Sequence, residues 1–353
     1  MPAAYAAGMR HTYPPKPKPG DQIAVLSPSR GLPEIFPEVY ELGLRRLRED
    51  LGLVPVEYPT TRKMASSAAD RARDIHAAYA DPSITAVIAS IGGDDQLTVL
   101  PHLDADLLRA NRKPFFGFSD NTNLHVYLWH LGLVSYHGGA VMVHLGRGVT
   151  HPYSIESLRT ALFTSGEVEV VPPGEATDEG MAWDTPEALV SGAPMRPNDG
   201  WTWRNADRVV EGKTFGGCLE ILDWQLAVRR WLAPFSEYDG CVLLIETSEE
   251  MPPAIQVYRT LRNLGEAGLL QRFAAVLVGR AKAWNIDRRT TLDERAGFVT
   301  DQAEAVIRVL DEYHPGVLTV FDVDFGHTDP QLIVPSGGRI RIDSPARRIW
   351  LTY

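Results

Sequence analysis

Four short apolar runs, separated by stretches of helical period, leave this chain few folds to choose from. The first, Ile-Ala-Val-Leu at 23–26, opens into a loop containing Pro28 and Gly31. Residues 34–51 then carry Val39, Leu42, Leu44 and Leu47 at helical spacing, and 53–58 read as the second strand. The unit repeats, with a helix over 68–79 and a strand over 84–91 that ends in Gly92-Gly93-Asp94-Asp95. A helix over 96–108 leads to the fourth run, 114–118, which stops at Ser119. Strands that are apolar throughout, with helices between them, assemble as a parallel sheet covered on both faces.

Beyond about residue 150 the texture changes, and 165–205 is rich in Pro, Gly and acidic residues with Trp183, Trp201 and Trp203 among them. Helical period returns at 219–232 and 255–265, and strands are expected at 240–245, 274–279, 317–323 and 339–342. A length of 353 residues suits two α/β domains, each with its own core. The expected division is an N-terminal extension at 1–20, a first domain at 21–165, a linker with a long loop at 166–205 and a C-terminal domain at 206–353.

Charge and cysteine content narrow the function classes. Lys and Arg number 35 against 45 Asp and Glu, a net charge of −10, so a nucleic-acid polymer is not the expected partner. The basic clusters (Lys16 with Lys18, Arg45 to Arg48, Arg288 with Arg289) are short and scattered, as solvated faces are. Cys218 and Cys241 are too few for a disulfide framework and lack zinc-site spacing, so both are expected to be reduced and inert. With no apolar core to a leader and no membrane-length apolar run, a cytoplasmic protein without membrane contact is expected.

Two strand ends in the first half of the chain could carry chemistry. In Gly117-Phe-Ser119-Asp120-Asn121 a serine sits where an apolar strand turns into a helix, the geometry of a nucleophile elbow, with backbone N–H groups at the helix start aimed at developing negative charge. A helix cap by Ser119 or Asp120 explains the same residues. Gly92-Gly93 lies at the carboxyl end of the preceding strand, where a glycine lets a backbone N–H approach an oxyanion, although a tight turn capped by Asp95 reads equally well. Neither the dinucleotide fingerprint nor a P-loop is present, and no metal or cofactor is expected.

A serine nucleophile needs a base and an orienting acid. Among ten histidines, His327 stands in Gly326-His327-Thr-Asp-Pro330, a loop directly after an apolar strand; His137 and His144 could line the same cleft. Glu246 ends a buried strand, where a carboxylate must find a partner or rise in pKa, whereas Glu249 and Glu250 read as solvated and Asp322 and Asp324 as rival orienters.

Taken in order, Ile91-Gly-Gly-Asp94, Gly117-Phe-Ser-Asp120, Phe215-Gly-Gly-Cys-Leu-Glu220, Leu243-Leu-Ile-Glu246, Tyr258-Arg-Thr-Leu261 and Gly326-His-Thr-Asp-Pro330 resemble the serine-type LD-carboxypeptidase family, and within it the microcin C self-immunity (MccF-like) branch. The resemblance implies Ser119 as nucleophile, Glu246 and His327 as its acid and base, and the Gly93 and Asp120 amides as oxyanion hole, with Gly92 the alternative donor. It implies a flavodoxin-like N-terminal domain carrying the nucleophile, a smaller C-terminal α/β domain carrying the acid and base, and a homodimer. Trp183 resembles the aromatic on which that branch stacks a nucleobase; a tryptophan packed on the domain interface is the other reading. Cys218 departs from the asparagine of many relatives.

The function expected from this is hydrolysis of an amide beside a carboxylate- or nucleotide-bearing group, detoxifying a small peptidyl- or aminoacyl-nucleotide. The alternatives are a muropeptide LD-carboxypeptidase of cell-wall recycling and, from a different class, a non-catalytic small-ligand binding protein.

Overall fold

The computed structural model describes residues 9–353, so residues 1–8 of the expected N-terminal extension lie outside the described residues. Among the described residues the strands form one six-stranded, one eight-stranded and one two-stranded sheet, with helices between them.

The first sheet runs in the order Val54–Glu57, Gln22–Leu26, Ile84–Ala89, Phe115–Gly117, Ser135–His137, Val334–Ser336. Its first five strands are parallel and the sixth antiparallel. Every residue of Ile84–Ala89 but Thr85 is buried, as a continuous apolar run requires. The chain leaves Gln22–Leu26 toward one edge and returns to pair Ile84–Ala89 on the other side, so the order reverses between these two strands. Such a reversal opens a crevice outside the carboxyl ends of the strands, where open α/β sheets bind their ligands.

The second sheet runs Glu167–Val170, Arg348–Thr352, Arg339–Asp343, Val209–Cys218, Val242–Glu246, Ala275–Gly279, Leu318–Val323, Thr202–Arg204. Its four middle strands from Val209–Cys218 to Leu318–Val323 are parallel, and Val209–Cys218 pairs antiparallel with Arg339–Asp343 through its first half. The fold is therefore mixed α/β in two units, the second having more strands than the first. One apolar cluster continues across both, from Ile23 and Phe116 to Leu244 and Ile342.

Four departures from the sequence reading have local causes. The helix expected at 96–108 breaks into two short 3-10 turns and the helix Ala105–Ala110, because Pro101 offers no N–H and the Asp104 side chain caps the Asp106 and Leu107 amides. The helix expected at 219–232 is Leu219–Val228, ended by Arg229 in a left-handed conformation (φ 56°). The 166–205 segment is no free linker: it supplies Glu167–Val170 and Thr202–Arg204 as the two edge strands of the second sheet. The chain also crosses back, Val334–Ser336 extending the first sheet.

Candidate active site

Ser119 follows the strand Phe115–Gly117 and precedes the helix Thr122–His130, and its backbone is held in the left-handed region at φ 61°. A non-glycine residue persists there only when its surroundings over-determine it. Here they do: fully buried Asn121 donates through Nδ2 to the carbonyls of Phe118 (3.0 Å) and Ile91 (3.2 Å) and accepts from Gln96 Nε2 (2.9 Å). Asp120 accepts from the Gln96 amide (2.9 Å) and Asn123 Nδ2 (2.8 Å), and burial raises its carboxyl pKa. The glycines on either side are steric necessities. A Cβ on Gly117 would meet Asn121 Cβ at 2.9 Å, and one on Gly92 would meet Ser119 Cβ at 2.9 Å and Oγ at 3.1 Å. Gly93 packs as closely on the loop after Gln22–Leu26, where an added Cβ would meet Ser29 Cβ at 2.9 Å. The Gly93 and Asp120 amides make no backbone hydrogen bond among the described residues.

Glu246 is the last residue of Val242–Glu246 and is buried. Its Oε2 lies 2.6 Å from His327 Nδ1, a charge-assisted hydrogen bond between the end of one strand and the loop beyond another. Two glycines make room for it, since a Cβ on Gly279 would meet Glu246 Cβ at 2.7 Å and one on Gly326 would meet Oε2 at 2.6 Å. Burial raises the Glu246 pKa and is only partly offset by His327. Burial alone would lower the His327 pKa, but the carboxylates of Glu246 and Glu249 outweigh it and the imidazole is raised to about 9. The other ring nitrogen, His327 Nε2, has no hydrogen-bond partner among the described residues, although the half-exposed Glu249 carboxylate lies 3.1 Å away. Phe118 meets the His327 ring edge-on at 4.9 Å between centroids.

Ser119 and His327 line one cavity of about 420 Å³, together with Gly92, Gly93 and Trp183. It opens at the crevice where the strand order of the first sheet reverses. Glu246 stands behind His327, and His144, Glu249 and Glu250 face the cavity. Trp183 is half-buried and also meets Phe36 edge-on at 5.6 Å, so it both packs and faces the cavity.

His125, Asp324, Cys218 and Cys241 do not line this cavity. His125 is a core residue bonded to Ser135 Oγ and the Gly117 carbonyl, both at 2.7 Å. Asp324 is taken by Trp201 Nε1 (2.8 Å) and Arg280 (3.1 Å), which removes it as a rival orienter for His327. Cys218 and Cys241 are free and buried, and burial raises both thiols. The Cys218 amide donates to Thr122 Oγ1 (3.1 Å), behind the elbow.

Sequence reasoning passed over Arg147, Lys282 and Trp284, which also line the cavity. Arg147 pairs with Asp329, and Lys282 donates to the Asp178 carbonyl. Arg295 reaches Asp178 (3.0 Å) and Glu179 (2.8 Å), fastening the loop that carries Trp183. Lys282-Ala-Trp284 follows the carboxyl end of Ala275–Gly279, so the edge rule that singled out Gly92-Gly93 would also have found it. Among the described residues no cluster of three or more His, Cys, Asp or Glu is placed to hold a metal ion, and no helix is long and apolar enough to cross a membrane.

Known proteins share this architecture. The model of the LD-carboxypeptidase N-terminal domain matches residues 23–138 and that of the C-terminal domain residues 211–342. A Streptomyces coelicolor protein named "Putative carboxypeptidase SCO6489" is 30% identical, with 93% of this chain and 95% of that one covered. The Microcin C7 self-immunity protein MccF of Escherichia coli is 26% identical over 80% of this chain and 78% of its own. A Bacillus subtilis protein named "Probable murein peptide carboxypeptidase" is 26% identical over 92% of this chain and 89% of its own. The crystal structure of an MccF-like protein from Streptococcus pneumoniae in complex with AMP superposes with a TM-score of 0.82 at 28% identity, covering 94% of this chain and 99% of that one. Family models on both halves and a relative matched along nearly its whole length make this chain a member of the LD-carboxypeptidase family of peptidases.

Proposed function

We propose that the chain is a serine carboxypeptidase-like hydrolase in which Ser119 attacks an amide, His327 takes the serine proton, and Glu246 orients the imidazole and stabilises its cation. The observation that carries this reading is the 2.6 Å bond from His327 to Glu246 behind a cavity that also exposes Ser119. His327 Nε2 is the nitrogen left for the serine, and hydrogen bonds of this kind commonly close only once substrate is bound. The Gly93 and Asp120 amides are the oxyanion donors, and Gly92 leaves the space in which the tetrahedral centre forms. Collapse of that centre returns the proton from His327 to the leaving amine, and water then hydrolyses the acyl-enzyme.

The substrate class within this reading is a peptidyl- or aminoacyl-nucleotide, as for a microcin C immunity peptidase. Trp183 and Trp284 on the cavity wall support it, since an aromatic face holds a base without a basic surface. Its setting is a reducing cytoplasm, and its oligomer a homodimer. The second reading, a muropeptide LD-carboxypeptidase, draws on Arg147 and Lys282, two cations suited to a peptide carboxylate. Purified protein offered an aminoacyl sulfamoyl adenosine and a murein tetrapeptide separates the two. Release of the amino acid from the first alone supports immunity-type activity, release of the terminal D-residue from the second alone supports the murein reading, and Ser119→Ala abolishes either.

A further inference from the structure

His137 ends the strand Ser135–His137, lies opposite Gly117 in the sheet and, unlike His144, does not line the cavity. Its ring is fully buried in a box made by Phe118 (6.4 Å, edge-on), Phe325 (6.0 Å, edge-on), His125 (5.7 Å) and the backbone at Gly217. Both ring nitrogens are without a hydrogen-bond partner among the described residues, and so is Glu246 Oε1. These orphans face one another: His137 Nε2 lies 3.7 Å from Oε1, the carboxylate oxygen that His327 does not hold. Leaving a buried donor and a buried carboxylate oxygen both unmatched is costly, and a movement of less than about 1 Å closes the gap to hydrogen-bond length.

Resting on the triad reading, we infer that His137 is a positioning residue: its Nε2–H donates to Glu246 Oε1 and thereby holds Oε2 against His327. The charged and titratable groups around this contact are His125 on the helix Thr122–His130, His327 on the late loop, Cys218 opposite Glu246 in the second sheet, and Glu220 and Glu249 near the Glu246 strand end. Burial, reinforced by His125 and His327, lowers the His137 pKa well below the ordinary value. The ring is therefore neutral and carries one N–H to give. Because His137 comes from the first sheet and Glu246 from the second, the contact also sets the acid–base pair in register with the elbow.

The test compares His137→Leu, which removes the donor, with His137→Gln, whose amide nitrogen reaches about the same place. The measurements are kcat and KM, the pH profile of kcat/KM, and labelling of Ser119 by a fluorophosphonate. The expected result is a kcat lowered about 10- to 100-fold in the Leu variant with KM within about twofold, a displaced pH limb, and recovery of most of the loss by Gln. Wild-type kcat in the Leu variant, or equal loss in Leu and Gln, overturns the positioning role while Ser119 labelling still stands. Absence of labelling in the wild type overturns the triad reading and this role with it. If the Leu variant does not fold, nitrogen-15 NMR of wild-type histidines decides: a neutral His137 protonated at Nε2 is expected, and protonation at Nδ1 instead overturns the assignment.

Discussion

Gly326 stands against Glu246 so closely that a Cβ there would lie 2.6 Å from the carboxylate oxygen that holds His327. The glycine also has φ +100°, a region side chains rarely adopt. Gly326→Ala is therefore expected to displace the carboxylate and to strain the loop, lowering kcat at least about 10-fold and stability by ~1–3 kcal/mol. Steady-state kinetics with thermal unfolding checks both; unchanged kcat would show that the 2.6 Å bond tolerates rearrangement.

His327 works as a base only when neutral, and its pKa in the free protein is raised to about 9, burial being outweighed by Glu246 and Glu249. The kcat/KM of the wild type should therefore climb as pH rises toward that value. Glu249 favours the imidazolium, so Glu249→Gln lowers the His327 pKa and moves the climbing limb to lower pH. A limb that stays in place would separate Glu249 from the base.

Trp183 faces the cavity and also packs on the apolar cluster, meeting Phe36 edge-on at 5.6 Å. If it stacks the base of a nucleotide-bearing substrate, Trp183→Ala weakens that substrate by ~1–3 kcal/mol in KM or Kd, while Trp183→Phe retains part of the affinity. Calorimetric titration with AMP measures this. Equal binding by wild type and the Ala variant would leave Trp183 with packing alone.

Arg295 holds Asp178 at 3.0 Å and Glu179 at 2.8 Å, tying the Trp183 loop to the helix Leu292–Tyr313. Arg295→Ala should raise KM with little change in kcat, because the loop is loosened while the elbow is untouched. Faster amide hydrogen exchange across 175–185 is the accompanying signature, and unchanged exchange would contradict the tie.

Much of this site was legible in the residues themselves. The apolar run stopping at Ser119, the glycine pair after Ile84–Ala89, Glu246 at a strand end and the Gly326-His327 loop all announce a sheet edge, because polar groups and glycines there interrupt otherwise continuous apolar strands. What stayed hidden depends on distant pairing. Thr202–Arg204 reads as loop because only its partner Leu318–Val323 makes it a strand, and Val334–Ser336 belongs to the first sheet only through Ser135–His137. Glu249 reads as solvated, and half-exposed it is, yet the fold swings His327 beside it. His137 reads as a cleft histidine like His144, but it lies behind the cavity, and only the fold sets it opposite the orphaned oxygen of Glu246.

The most direct test of the account is intact-protein and peptide mass spectrometry after treatment with a fluorophosphonate. One adduct on the peptide containing Ser119 is predicted, absent in Ser119→Ala and much slower in His327→Ala. No adduct at Ser119, or hydrolysis undiminished in the Ser119→Ala protein, would contradict the assignment of Ser119 as nucleophile.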